Sequence, residues 1–223
     1  MELYKYCDKN GINILRHKAL KISSLIEWND PFEFKIGKSN NKYINEALDK
    51  IYDYQKKVYR VICFTSKCNN LIMWSHYSKN HTGILIKFDT SIINVIDNKK
   101  LSDFLYEVDY ADNMIEIPDN FADLDEKRKE EILYKHTYRK YTDWQYEGEY
   151  RAIIKFDPIE YKRYIDIPTE SILEVIIGLN CDLETELNIK DILKNSEYSH
   201  IKFKRAFINE KKYEMKYLDI DIK

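Results

Sequence analysis

Asp143-Trp144-Gln145-Tyr146-Glu147-Gly148-Glu149-Tyr150-Arg151-Ala152-Ile153-Ile154-Lys155-Phe156 divides the chain into two kinds of pattern. Before it, helical and extended periodicities are interspersed; after it, extended segments dominate. Residues 150–156 form a nearly apolar run behind a glycine flanked by two glutamates, the signature of a strand that starts at a polar turn. Further extended patterns follow at 161–167, 173–177, 201–207 and 213–220, broken by one helical pattern over Leu183–Leu193. Strands without regular helical crossovers predict an α+β fold, a mixed, largely antiparallel sheet core with flanking helices, rather than a doubly wound parallel sheet.

Working backwards, residues 2–6 alternate as a strand and 13–20 carry a weak helical pattern. Asn29-Asp30-Pro31-Phe32-Glu33 reads as a shaped loop: proline biases the residue before it away from the helical region, and Asp30 can cap the turn that follows. Trp28 to Glu33 is thereby a third, weaker ligand-loop candidate. Residues 41–57 space Ile44, Leu48 and Ile51 as a helix, and 58–64 are β-branched and aromatic, a strand. A short helix is expected at 71–77, a strand at 83–88, a helical turn at 91–96 and a strand at 104–110. The longest helix candidate covers 124–141, with Tyr134, Tyr138 and Tyr141 as an expected core stripe.

The 223 residues, 44% hydrophobic and 14% aromatic with only 5 Gly and 4 Pro, predict one globular domain spanning 1–223 without a flexible linker. Lys+Arg 36 against Asp+Glu 38 nearly cancel, so no long-range field draws the chain to nucleic acid. Locally, Ile201 to Lys216 is basic with interleaved aromatics, which suits either a phosphate-facing strip or an edge strand protected by lysines. The sequence opens without a basic segment leading into an apolar one, and no run of about 18 apolar residues occurs. A cytoplasmic location, reduced cysteines and no membrane partner are the corresponding expectations.

Two clusters carry the candidate chemistry. In an extended chain, residues two apart lie on one face about 7 Å from each other. Glu147, Glu149 and Arg151 are therefore expected to share a polar face, with Tyr150, Ala152 and Ile154 on the other. Paired carboxylates at that range can divide labour, one stabilising positive charge on a sugar and the other orienting or deprotonating an acceptor. The competing reading is a solvent-facing turn in which Glu149 pairs weakly with Arg151. The second cluster, Asn69-Asn70-Leu71-Ile72-Met73-Trp74-Ser75-His76-Tyr77-Ser78, concentrates a proton carrier, hydroxyls and stacking rings; its alternative is a buried Ile72, Trp74 and Tyr77 with a merely hydrogen-bonded His76. Cys63, Cys68, His76 and His81 have zinc-ligand types, but Cys63 lies in an apolar strand and the pairs are too close, so no metal is expected. Phosphate loops, serine-hydrolase elbows and zincin helices are absent.

Taken in order, Leu3-Tyr4-Lys5-Tyr6, Asn29-Asp30-Pro31-Phe32-Glu33, Cys63-Phe64, Met73-Trp74-Ser75-His76-Tyr77, His81-x-Gly83 and Tyr146-Glu147-Gly148-Glu149-Tyr150-Arg151 resemble a large bacterial family of unknown function. Its members are similar to the ADP-ribosyltransferases of phage-defence and toxin systems. That resemblance implies an NAD-consuming enzyme, a transferase to protein or nucleic acid or an NAD glycohydrolase, acting as toxin or antiviral effector, with a phage trigger or antitoxin as partner. It implies Glu149 as the residue that stabilises the ribosyl oxocarbenium and Glu147 as the one that orients the nucleophile. NAD would be held by Lys5, Tyr6, Trp74, Ser75, His76, Tyr77 and Arg151, with Trp74 or Tyr77 stacked on nicotinamide and Lys5 and His76 on ribose or phosphate. Lys5 stands where that superfamily carries Arg or His, and its middle motif falls on Ser66 or on Tyr77. The resemblance further implies a split pair of antiparallel sheets with Lys5, Tyr77 and Glu149 on one cleft. The alternative is a non-enzymatic module that binds nucleic acid or a phage protein through the same cleft or through Lys202, Lys204 and Arg205.

Overall fold

The structure, a computed structural model, describes residues 1–25, 30, 32–34, 37–156 and 162–222. Among them nine strands form one sheet, in the order Met215–Asp219, Lys202–Ile208, Ile172–Ile177, Ile84–Asp89, Glu2–Cys7, Tyr59–Thr65, Glu149–Lys155, Leu105–Glu107, with Ser23–Ser24 pairing Tyr59–Thr65 off that path. Within this sheet only Ile172–Ile177 and Lys202–Ile208 run parallel; the other neighbours are antiparallel. The expected α+β class with a mixed, largely antiparallel sheet is what the chain adopts.

The sheet is pinched in the middle. Glu2–Cys7 pairs with Ile84–Asp89 along its whole length, but with Tyr59–Thr65 through the single register pair Tyr4↔Thr65. Beyond that pair Lys5 Nζ, rather than a backbone N–H, donates to the Cys63 carbonyl at 2.8 Å. The side chains lining the gap, among them Lys5, Tyr6 and Cys63, leave a cavity there.

Alternation along the strands builds two faces. Ile84, Ile86, Phe88, Val175, Ile177, Ile62, Phe64, Ala152 and Ile154 join the main core under the helices Ile12–His17 and Leu183–Leu193. The intervening Leu85 and Ile176 pack with Tyr6, Met73 and Trp74 on the opposite face, under the helix Leu71–His76. On that same face Val61 packs with Leu25 and Phe34. The helices Lys42–Val58 and Glu126–Tyr138 enclose a smaller cluster built on Ile44, Leu48, Phe121 and Ile132. Their N-caps, Asn41 and Asp125, accept from Tyr43 N and Arg128 N and so satisfy backbone donors that a first helical turn leaves open.

Several expectations need correction. The helix in 13–20 stops at His17, because Lys18 turns left-handed (φ 51°) and Ala19–Lys21 continues as a strand. Residues 91–96 are a 3-10 turn over Thr90–Ile92 followed by the strand Asn94–Ile96. The strand expected at 104–110 divides into Leu105–Glu107, which pairs with Glu149–Lys155, and Asp109–Tyr110, which pairs with Arg139–Lys140 instead; Val108 N still bonds Glu149 O between them. Of the tyrosine stripe only Tyr138 is buried; Tyr134 and Tyr141 are each 45% exposed. Tyr134 instead packs with Tyr106 and Tyr138 as a ring cluster. In the basic strip, Lys202–Ile208 is interior rather than edge, and Lys204 and Arg205 are ion-paired to Glu174 and Glu186. Trp28, Asn29, Pro31 and Tyr161 lie outside the described residues. Among the described residues no helix is long and apolar enough to cross a membrane.

Candidate functional site

Gly148 decides how the two glutamates meet. The 3-10 turn Thr142–Glu147 ends on Gly148 in the left-handed region (φ 50°, ψ 49°), and the strand Glu149–Lys155 starts immediately after. A side chain there would be strained, and its Cβ would lie 2.9 Å from Lys67 Cε. The turn is tied to the neighbouring strand: Thr65 Oγ1 donates to Glu147 O, and Ser66 N to Gly148 O at 3.1 Å. Glu149 N in turn donates to Tyr110 Oη at 2.9 Å.

Glu147, Glu149 and Arg151 were expected along one extended face; Glu147 is not extended, yet the turn brings its carboxylate back to the other two. Lys140 Nζ is the hub. It lies 2.6 Å from Glu147 Oε2, 3.2 Å from Glu149 Oε2 and 3.2 Å from Glu33 Oε1. Arg151 closes the cluster, with Nε donating to Glu149 Oε1 (2.9 Å), Nη2 to Glu149 Oε2 (2.9 Å) and Glu33 Oε1 (2.6 Å), and Nη1 to Thr137 O (2.8 Å). Glu33, Lys140, Glu147, Glu149 and Arg151 are all buried, so the solvent-facing pair considered for Glu149 and Arg151 is not what forms.

Burial and charge pull against each other here. Burial pushes the Glu33 carboxyl up, and Arg151 and Lys140 oppose it without cancelling it, leaving it at about 7. For Glu149 burial also acts upward, but the bidentate Arg151 contact and Lys140 overcome it and hold the carboxyl down at about 2. Burial acts downward on Lys140, but Glu149, Glu33 and Glu147 keep its ammonium protonated well above the ordinary lysine range. At neutral pH, then, Glu149 is ionised while Glu33 is near its midpoint.

The cleft at the pinch is about 290 Å³ and is lined by Lys5, Tyr6, Tyr77, Lys140, Glu147 and Glu149, among others. Tyr77 Oη donates to Glu147 Oε1, linking the helix after Asn70 to the carboxylate turn. Tyr6 Oη donates to Cys68 O at 2.9 Å and accepts from Asn70 N. A larger groove of about 1020 Å³ adjoins, sharing Lys5, Tyr6, Lys21 and Tyr77 with the cleft and adding His17, His76 and Lys79. His76 is exposed, its Nδ1 3.3 Å from Tyr146 Oη.

Three expected ligand contacts are placed elsewhere. Trp74 is fully buried, with Nε1 donating to Tyr217 Oη (3.0 Å) and its ring edge-on to Tyr6, so it is a core residue and not an open stacking platform. Arg151 is 0% exposed and spends its donors on Glu33, Glu149 and Thr137 O; it organises the carboxylates from behind. Ser75 lines neither the cleft nor the groove and bonds Asn80 Oδ1. Conversely, Lys140, Lys21 and Tyr110 were not singled out from the sequence. Lys140 had one available signal: two carboxylates at the start of a buried strand need more positive charge than Arg151 alone supplies.

Residues 73–152, from the helix Leu71–His76 into the strand Glu149–Lys155, match the profile of one protein family. That family is a domain of unknown function, DUF2971. The matched segment contains Tyr77, Lys140, Glu147, Glu149 and Arg151, while Lys5, Lys21 and Glu33 come from the chain before it. No curated protein and no solved structure matches the chain.

Proposed function

We propose that the cleft binds NAD and breaks its nicotinamide–ribose bond, as an ADP-ribosyltransferase or NAD glycohydrolase. The observation that carries the reading is the convergence of Glu147, Glu149, Tyr77 and Lys5 on one cavity at the pinch of the sheet. Lys5, Tyr77 and Glu149 on one cleft is what the resemblance to ADP-ribosyltransferases implies; the split pair of sheets it also implies is not what forms, since the strands on either side of the pinch belong to one sheet joined through Tyr4↔Thr65.

The chemistry follows from charge. As the bond from the ribose anomeric carbon to the pyridinium nitrogen breaks, the electron pair leaves with neutral nicotinamide and positive charge develops on the ribose. Glu149, ionised at any physiological pH and fixed by Arg151, is a preorganised anion for that charge. Glu147, held by Tyr77 and Lys140, orients the acceptor hydroxyl, water or amine and takes its proton as the new bond forms. The cleft alone is small for a dinucleotide, and the adjoining groove, with Lys5 and Lys21 on the shared wall, accommodates the diphosphate and adenosine end. The toxin or antiviral role implied by the resemblance would follow from NAD depletion or from modification of an acceptor.

The test is nicotinamide release from NAD with protein and nucleic-acid acceptors offered. Wild type should release nicotinamide, and Glu149→Gln should fall by about 10²–10³-fold. Absence of release with every acceptor would end the proposal.

A further inference from the structure

The groove beside the cleft, about 1020 Å³ in volume, takes part of its wall from the short antiparallel pairing of Ala19–Lys21 with Tyr164–Asp166. Residues opposite each other in such a pair project to the same face, and successive pairs alternate. Ile165 and Leu20 are one opposed pair, and both are buried in the main core. The next pair, Tyr164 and Lys21, therefore points the other way, and both residues line the groove. Tyr164 is 54% exposed, so its ring is open to a ligand.

His76 and Lys79 line the same groove from the end of the helix Leu71–His76 and the turn after it. That turn is strained: Lys79, Asn80 and His81 are consecutive left-handed residues (φ 47°, 57° and 64°), a conformation that residues with side chains disfavour. It is also locked. Asn80 N donates to Ser75 O (2.9 Å) and His81 N to Trp74 O (3.0 Å), while Asn180 donates to His81 O through its backbone (2.9 Å) and to Asn80 O through its side chain (3.1 Å). Gly178 lets that segment approach, since a Cβ there would lie 2.1 Å from His81 O. Strain of this kind persists where the surrounding structure imposes it, and it collects at ligand sites. Here it fixes the backbone that carries Lys79.

Among the charged residues that line the groove, Lys5, Lys21 and Lys79 face one carboxylate, Asp8, which caps the turn Lys9–Gly11 and accepts from Asn10. The excess of positive charge favours an anion. The basic strip near the C-terminus differs, because Glu174 and Glu186 neutralise Lys204 and Arg205. An open aromatic ring and a surplus of ammonium groups, in a space at the upper end of the roughly 300–1,000 Å³ of small-molecule sites, suit a ligand with a flat ring at one end and phosphates at the other.

We infer that the groove is a nucleoside-diphosphate subsite in which Tyr164 stacks on the base and Lys79 holds the phosphates. It deepens the NAD reading by naming what grips the half of the dinucleotide remote from the bond that breaks, and it rests on that reading for the base being adenine. Both residues lie outside the carboxylate cleft, so binding at the groove is measurable without any bond cleavage.

Calorimetric titration of the full-length protein with ADP, which carries no nicotinamide, tests this. Wild type should bind ADP with a Kd on the order of 10 µM. Tyr164→Ala should weaken ADP and adenosine alike by about tenfold, the worth of one stacked base, and Tyr164→Phe should bind as wild type does. Lys79→Gln should weaken ADP about tenfold, leave adenosine unchanged and flatten the fall of ADP affinity with salt. Lys79 and Tyr164 are exposed, and the split between ADP and adenosine is one that a general loss of structure would not produce. The inference is overturned if wild type shows no ADP binding at millimolar concentration, if Tyr164→Ala and Lys79→Gln bind ADP as wild type does, or if Lys79→Gln weakens adenosine as much as ADP. ADP binding as described without nicotinamide release from NAD would remove the NAD reading alone. Nicotinamide release with an unchanged KM for NAD in both variants would remove the groove assignment alone.

Discussion

Replacing Glu33 with Gln gives the cluster a fixed neutral side chain where the native one titrates. The carboxyl is held at about 7 in the fold against the ordinary glutamate value of 4.5. A group whose folded pKa is raised binds its proton more tightly in the native state. Its stabilising contribution is therefore complete below about 4.5 and is lost as pH rises through about 7. At about 1.36 kcal/mol per pH unit, the interval amounts to about 3 kcal/mol, of which about 2–3 kcal/mol falls between pH 5 and 8. Glu149 has the opposite sign: its depressed carboxyl contributes stability above 4.5 that is lost as pH falls through about 2, outside this window. Urea unfolding of wild type and Glu33→Gln at pH 5, 6, 7 and 8, read by tryptophan fluorescence, isolates Glu33. The variant should gain on wild type by about 2–3 kcal/mol as pH rises from 5 to 8. Parallel stability curves for the two proteins would show instead that Glu33 carries no native-state proton in this range.

Lys140→Met removes the cation shared by three carboxylates and should cost about 3–5 kcal/mol, with Glu33→Gln in the same chain recovering part of the loss; calorimetry of the single and double variants checks this. Trp74→Ala should cost about 3–5 kcal/mol in denaturant midpoint, as for a large core side chain, whereas an open ligand platform would change binding with little effect on stability. Gly148→Ala should cost about 1–2 kcal/mol in thermal unfolding from its left-handed backbone, and a neutral result would mean that the turn can rearrange.

How much of this was legible in the sequence depends on how local each cause is. Leu183–Leu193 was readable to the residue because Asp182 caps it and its apolar spacing is internal to the segment. The carboxylate turn was readable as a place, since Gly148 between two glutamates at the start of an apolar run is a local pattern. Its partners were not: Glu33 reaches Arg151 across 118 residues, a contact that only the sheet order creates. Lys140 was absorbed into the expected helix 124–141, which ends at Tyr138 so that Arg139–Lys140 can pair with Asp109–Tyr110. Trp74 and Tyr77 are three residues apart on one short helix, yet one faces the core and the other Glu147. Nothing in their composition distinguishes them; the position of Tyr6 and Tyr217 does.

Cleavage of the nicotinamide–ribose bond of NAD in the carboxylate cleft, the function proposed above, is open to a single decisive assay. Its most direct measurement is single-turnover nicotinamide release by wild type and by Glu149→Gln, with the fold of the variant checked by its thermal transition. Release by wild type is expected, with a loss of about 10²–10³-fold in a folded Glu149→Gln. Equal release by the two, or none from folded wild type with protein and nucleic-acid acceptors present, would contradict it.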